Sequence, residues 1–350
     1  MLSITRSAIT LTKVLFVLAL ALFCFRAAFA DSSSLLQPSK QSWITDLAVD
    51  PAGAIYLLDN GRDELIKLDK DGKMIWRTPL STAEIPNSNS YKLVASSRGP
   101  ISYFILSNQA EIRGVDAGGQ LQTLFPPVGE FTDRIMGMDG SGAIYFPNTE
   151  KHRVEKYARI MINVSSDQLV NGGWKPKIVK ITDPGPRFPA NQQINCSQVI
   201  NGDVKGPARF ARPNMVISSP AGDRIWILDQ SYVFNVFDGA GKFLYEIKAP
   251  DEKNRSFTYV VDAEFDKDGN AYLASNEAKA VLEFNRSGKL VKKIPAGNRP
   301  DGFALGSDGN IYIGDNYGYS PADGTGRRFP AVKVLDQDGK LLRLLPVPLD

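Results

Sequence analysis

The chain is poor in the residues that most enzyme chemistry draws on. It holds one histidine, His152, and two cysteines, Cys24 and Cys196, in 350 residues. A lone histidine and a lone mature thiol cannot assemble a zinc site of the usual nitrogen and sulfur ligands. His152 also sits in a repeated turn, which speaks against a Ser-His-Asp or Cys-His nucleophile system. No glycine loop runs into Lys-Ser/Thr, so the phosphate-cradling loop of nucleotide hydrolases is missing. What remains for catalysis is carboxylate chemistry with an oxygen-bound hard cation.

Long apolar runs are scarce as well. The one candidate is Val14 to Phe25, closed by Arg26 and preceded by Arg6 and Lys13. It is shorter than the ~20 residues a membrane helix needs. Ala28-Phe-Ala30 then supplies a small-x-small cleavage site. Residues 1–30 read as a signal peptide, with export to the periplasm or the extracellular space and no transmembrane span after cleavage. Phe23 before Cys24 argues against lipid attachment. With Cys24 removed, Cys196 has no disulfide partner and reads as a small buried residue.

One-sided charge is also missing. Residues 1–30 carry three basic side chains, Arg6, Lys13 and Arg26, and no acid, so the remaining chain has as many basic residues as its 38 acids. Such a balance speaks against a nucleic-acid or anionic-membrane binder.

Glycine hairpins are what the chain does have. One turn motif appears as Asp50-Pro-Ala-Gly-Ala-Ile-Tyr56, Asp139-Gly-Ser-Gly-Ala-Ile-Tyr145, Asp266-Lys-Asp-Gly-Asn-Ala-Tyr272 and Gly306-Ser-Asp-Gly-Asn-Ile-Tyr312. Ser219 to Trp226 is the same motif one residue longer. A second appears as Asp69-Lys-Asp-Gly-Lys-Met74, Asp116-Ala-Gly-Gly-Gln-Leu121, Asp238-Gly-Ala-Gly-Lys-Phe243, Asn285-Arg-Ser-Gly-Lys-Leu290 and Asp336-Gln-Asp-Gly-Lys-Leu341. In both, an Asp or Asn side chain caps the turn and Gly supplies the positive φ that closes it. The flanks alternate as half-buried strands do.

Two hairpins make a four-stranded unit, most clearly at 260–294. Repetition at this period is the signature of propellers. Six units follow, near 43–79, 88–126, 131–183, 207–249, 257–295 and 298–346. The expected class is an all-β, six-bladed β-propeller of four-stranded antiparallel blades. Residues 31–42 form an N-terminal lead and 43–350 the single domain. The third unit lacks the second motif, so its fourth strand is placed at 177–181, and long insertions are expected near 158–177 and 184–206. A seventh unit hidden in 160–206 is the alternative.

The repeat resembles the NHL repeat of β-propellers. The likeness rests on Arg212-Pro-Asn-Met-Val216, Ile225-Trp-Ile-Leu-Asp229 and Lys151-His-Arg-Val-Glu-Lys-Tyr157, with Asp59-Asn60 and Asp315-Asn316 closing second strands in the same way. It covers most of 43–346 and implies the fold; one fold hosts many functions.

In such blades the tight hairpins share one face. The second-to-third turns and blade-to-blade links share the other, the loop face. Function usually sits on variable loops over a rigid scaffold. Two long loops on the loop face carry arginine with aromatics, and Arg187, Arg212, Tyr317, Tyr319 and Arg327 are the candidate ligand contacts. Arginine beside aromatic rings suits planar or anionic ligands, including sugars and carboxylates. The expected role is an exported module that binds a small molecule, glycan or protein there.

The alternative is a metal-dependent hydrolase of lactonase or esterase type. Counting back from each glycine turn places Asp46, Arg134, Asn214, Asp262 and Asp301 near the start of the inner strands. Oxygen ligands converging on one axis suit Ca²⁺. Pro213-Asn214 and Pro300-Asp301-Gly302 resemble the ligand strands of calcium-binding gluconolactonase propellers. That resemblance implies a calcium site of Asp46, Asn214 and Asp301, with Asp301 also the catalytic base. The family's early Glu ligand is here the shorter Asp46, and Arg134 would add positive charge beside a cation.

Overall fold

The computed structural model describes residues 41–80, 90–95, 102–106, 111–115, 118–125, 137–140, 143–149, 151–157, 196–202, 209–210, 212–250, 257–297, 300–320 and 329–348. Within them lie six antiparallel four-stranded sheets. Blade 1 is β1 (Ile44–Val49), β2 (Ile55–Asp59), β3 (Glu64–Leu68) and β4 (Met74–Pro79). Blade 2 is β5 (Ser90–Ala95), β6 (Ser102–Leu106), β7 (Glu111–Val115) and β8 (Leu121–Phe125). Blade 3 is β9 (Gly137–Met138), β10 (Ile144–Asn148), β11 (Arg153–Tyr157) and β12 (Cys196–Asn201). Blade 4 is β13 (Pro213–Ser218), β14 (Arg224–Asp229), β15 (Val233–Asp238) and β16 (Phe243–Lys248). Blade 5 is β17 (Val260–Phe265), β18 (Ala271–Ser275), β19 (Ala280–Phe284) and β20 (Leu290–Pro295). Blade 6 is β21 (Gly302–Leu305), β22 (Ile311–Tyr319), β23 (Phe329–Leu335) and β24 (Leu341–Pro346).

Local chemistry explains the hairpins. Asp50 Oδ1 accepts the N–H groups of Ala52 and Ala54, and Gly53, at φ +84°, donates its N–H to the Asp50 carbonyl. Asp69, Asp238, Asp266, Asn285 and Asp336 repeat this device. Burial then follows strand position. The second strands β2 and β18 are buried at every residue, because sheet neighbours flank them and other blades cover both faces. The outermost strand β4 alternates between half-buried and exposed. Adjacent blades share apolar clusters, such as Met215, Trp226, Phe234 and Phe257 with Leu273 and Phe284 between blades 4 and 5.

The first strand of each blade lines the axis. Strand β1 packs on β5 and on β21, β17 on β21, and β13 on β9 and β17. The ring of this six-bladed β-propeller closes between blade 1 and blade 6, and among the described residues each blade is built from four consecutive strands with none exchanged. A side-chain latch spans the junction. Asn316 Oδ1 accepts the Ile44 N–H at 2.7 Å, and Asn316 Nδ2 donates to the Ile44 carbonyl at 2.8 Å. Gly302 makes the close approach possible, because a Cβ there would lie 3.1 Å from the backbone of Asp46.

One expectation is corrected. The fourth strand of blade 3 is β12, inside the span read as a loop at 184–206. It pairs with β11 in antiparallel register, Val154 opposite Ile200 and Arg153 opposite Asn201. The sequence concealed it because no glycine turn joins the two strands. The adjacent β-branched pair Val199-Ile200 is the local strand signal, with Ile200 buried and Val199 exposed. The proposed strand at 177–181 and the insertion at 158–177 lie outside the described residues.

Candidate functional site

Two ends of one axis compete for the site, and their chemistry differs. At the loop face the inner strands begin with polar residues, yet these do not share one register. Asp46 and Asp262 both follow a β-bulge and pair with the fourth residue of their second strands, Leu58 and Ala274. Asn214 itself occupies the bulge of β13. Asp301 precedes β21 and donates its N–H to the Gly314 carbonyl.

The fold uses these side chains. Asp46 is buried; its Oδ1 accepts the Leu47 N–H at 2.9 Å and its Oδ2 the Leu93 N–H at 2.5 Å. It therefore pins the inner strand of blade 1 to that of blade 2. Asp301 Oδ2 accepts the Asn316 N–H at 3.2 Å and so supports the closing latch. Asn214 lies three blades round from blade 1, and its buried Oδ1 meets no hydrogen-bond donor among the described residues. The three residues read as calcium ligands are thus two staples and one isolated carbonyl. Among the described residues no group of three or more His, Cys, Asp or Glu side chains is arranged to hold a metal ion. Arg134 lies outside the described residues.

The loop face carries the exposed rings. Tyr259 is 64% exposed, Tyr317 50% and Tyr232 36%. Tyr259 leads into β17, Tyr317 lies on the part of β22 that runs past the latch, and Tyr232 sits in the β14–β15 turn. Tyr317 is flanked edge-on by Trp43, at 5.8 Å between ring centroids. Arg212 is exposed on the same face, just before β13, while Tyr319 is half-buried and pairs with Phe329. Arg187 and Arg327 lie outside the described residues. Tyr232 and Lys279 hold positive φ, +60° and +50°, as does half-buried His152 at +50°. Non-glycine residues pay about 1–2 kcal/mol for that conformation.

The hairpin face holds what the sequence reading missed, a cavity of about 540 Å³. Its walls are the ends of the inner strands, including Ile217, Ala263 and Leu305, and its rim is the first turn motif of several blades. The rim is acidic, with Asp50, Asp139, Asp266, Asp268 and Asp308 against Lys267. Several of these acids have partners. Asp139 Oδ2 accepts the Tyr145 hydroxyl at 3.1 Å and lies 3.3 Å from Lys156 Nζ. Asp50 stands in the same relation to the Tyr56 hydroxyl at 3.3 Å and Lys67 Nζ at 4.0 Å. Each lysine also lies over its tyrosine ring, at 4.8 Å for Lys67 and 4.9 Å for Lys156. Blade 5 breaks the pattern, because Glu283 stands opposite Tyr272 where the other two blades have lysine. Burial, and then Glu283 and Asp266, push the Tyr272 phenol well above its ordinary range. The signal was present in the sequence as a recurring spacing from Asp to Tyr to Lys, but only the fold shows that these turns ring a void.

No protein-family model matches the chain, and no curated protein matches it. Solved structures do resemble it. A catalytically inactive virginiamycin B lyase from Staphylococcus aureus, with quinupristin, superposes with a TM-score of 0.51 at 13% identity, covering 90% of this chain and 87% of that one. A streptogramin B lyase gives 0.52 at 14% identity, covering 89% and 85%. A chain of a nidogen/laminin complex gives 0.47 at 13% identity, covering 74% and 81%. The two lyase structures share the propeller fold with this chain, and at these identities the likeness extends to the fold alone.

Proposed function

We propose that this chain is an exported, NHL-like propeller that binds its ligand or protein partner through the loop face. One observation carries the reading: all three exposed aromatic side chains among the described residues, Tyr232, Tyr259 and Tyr317, lie on that face. Tyrosine offers a large, rigid contact area at low entropic cost, with a hydroxyl that stays wet when the ring is covered. Export rests on residues 1–30 and periplasmic or extracellular placement follows from it. Intact-mass measurement of the exported product should place its first residue at Asp31.

The test is a ligand screen over glycans and small carboxylates, run with the mature chain and two variants. Tyr259→Ala combined with Tyr317→Ala should abolish the hits. Asp266→Asn combined with Asp268→Asn, on the hairpin face, should leave them intact. Hits with the reverse dependence would move the site to the hairpin cavity and end the loop-face reading.

A calcium-dependent hydrolase is the second reading, and the unpartnered Oδ1 of Asn214 is the observation in its favour. Bound calcium would supply Lewis-acid polarisation of a lactone or ester carbonyl. Asp46 and Asp301 would then share their carboxylates between the cation and the backbone N–H groups they accept. Calorimetric titration with Ca²⁺ of the wild type and Asp301→Ala decides it: binding that only the wild type shows would favour the hydrolase, and no binding, or equal binding by both, would remove it.

A further inference from the structure

We propose that the hairpin-face cavity is a second binding site, which takes a small organic ammonium ion over the Tyr272 ring between Glu264 and Glu283. The inference goes beyond the loop-face reading and stands on a row of residues that four blades share. In that row a tyrosine of the second strand lies between one residue of the first strand and one of the third. Blade 1 has Ala48, Tyr56 and Lys67. Blade 3 has Gly137, Tyr145 and Lys156. Blade 6 has Ala304, Tyr312 and Val334. Blade 5 has Glu264, Tyr272 and Glu283. Residues opposite each other in a sheet share a face, so in blade 5 two carboxylates flank one phenol.

The other blades put their own cations in this row. Lys67 and Lys156 lie over their tyrosine rings, 4.8 and 4.9 Å from the centroids, with Asp50 and Asp139 in ion-pair reach. In blade 6 burial and Asp308 raise the Tyr312 phenol, and the Arg343 guanidinium beside it acts the other way. Burial also raises the Tyr272 phenol, but there the charged groups Glu283, Asp266 and Asp268 all add to the rise. Lys292, opposite Glu283 on β20, pairs with Asp338 of blade 6. Glu264 accepts the Leu305 N–H at 2.9 Å and Glu283 accepts the Tyr272 hydroxyl, and both carboxylates keep their charge while they do so. Blade 5 therefore repeats an ammonium site of blades 1 and 3 with its lysine replaced by glutamate. Like charges on one row of a sheet repel, and an ammonium over the ring between them offsets that repulsion.

The cavity sets the ligand class. Tyr272 and Glu264 line its volume of about 540 Å³, and Ala263, Phe265 and Leu305 give it apolar wall beside them. That volume suits a small molecule. Lys267 is the one lysine among the described lining residues, and it is exposed in the turn. Among the described residues no three His, Cys, Asp or Glu side chains are arranged to hold a metal ion, so a bare cation is the poorer match. An alkylammonium offers three N–H donors to the carboxylates and a hydrocarbon tail to the wall.

The experiment titrates the mature chain by calorimetry near neutral pH with n-hexylamine, n-hexanol and Ca²⁺. Hexylamine should bind, and hexanol, equally long but uncharged, should bind at least about tenfold more weakly. Glu283→Lys rebuilds the row of blades 1 and 3. It should keep its circular dichroism and weaken hexylamine by about tenfold or more. Glu283→Gln, which keeps the side chain's shape, should weaken binding in the same direction and carries the test if the lysine variant misfolds. The Tyr259→Ala, Tyr317→Ala pair should leave hexylamine binding intact. Equal binding of hexanol would overturn the ammonium assignment, and displacement of hexylamine by Ca²⁺ would make the row a metal site instead. Hexylamine binding unchanged in both Glu283 variants, or lost in the tyrosine pair, would take the ligand away from blade 5 and overturn the proposal. No binding of hexylamine would overturn it too, without touching the loop-face reading.

Discussion

Tyr272 shows how one residue ties the hairpin cavity to the stability of its blade. It is buried on β18, faces Glu283 across the β18–β19 pair, and lies near Asp266. Burial is the main reason its proton is held more tightly than the ordinary value of 10.0, and the two carboxylates add to it. Burial raises Tyr145, Tyr245 and Tyr312 in the same direction. A phenol whose folded pKa is raised contributes stability that is fully present below the unfolded value. It is lost as pH rises through the folded value. The urea midpoint should therefore stay flat with respect to these tyrosines up to about pH 9 and fall from about pH 10 upward. Tyr272→Phe should remove part of that fall. A slope above pH 10 identical in wild type and variant would show that Tyr272 titrates normally.

Among elements, the second strands β2 and β18 are buried at every residue. Ile311 opens β22, is fully buried, and joins the cluster of Tyr272, Ile294 and Phe303 between blades 5 and 6. Ile311→Ala should destabilise by about 2–5 kcal/mol, read from denaturant unfolding. A loss under about 0.5 kcal/mol, the range of surface substitutions, would contradict the packing of that interface. The turn elements are more demanding still. Gly288 has φ +78°, and a Cβ there would stand 2.8 Å from the Tyr245 ring and 2.9 Å from Ile247. This glycine closes the β19–β20 hairpin and lets blade 5 seat against β16 of blade 4, so one residue serves both the turn and the blade contact.

For the whole molecule the ring is closed at the junction of the first and last blades, where blade 1 and blade 6 share an apolar cluster that includes Ile44, Leu47, Tyr312 and Val332. Among the described residues no strand crosses it, and Asn316 and Gly302 bring the two blades together there. Removing the Asn316 amide leaves two buried backbone groups of Ile44 without that partner. Asn316→Ala should destabilise by roughly 2 kcal/mol or more. It should also speed hydrogen exchange at the Ile44 amide before exchange rises in blades 3 and 4. Uniform acceleration through all blades would mean that the ring opens as one cooperative unit and that the junction is no weaker than the rest. The charge arrangement is likewise a property of the whole chain. The acidic rim of the hairpin-face cavity is assembled from turns of several blades that are far apart in the chain.

The sequence by itself determined the hairpins, the four-strand unit and the blade count. Each glycine turn closes through contacts within about five residues, such as Asp50 with Ala52, Gly53 and Ala54, so its chemistry is local and readable. The loop-face placement of Arg212, Tyr317 and Tyr319 was legible for the same reason, since loop and strand ends follow from the repeat. Tertiary structure alone decided the rest. Strand β12 exists because Ile200 finds Val154 across a long connection with no turn signal to announce it. Asp46 was legible as a carboxylate near the start of an inner strand, but only the fold shows that its second oxygen holds Leu93, 47 residues away, in the next blade. The cavity escaped the sequence reading because its rim is made of turns whose own hydrogen bonds explain them completely. That these turns surround a void depends on how six blades sit about one axis, a packing relation that no local pattern encodes.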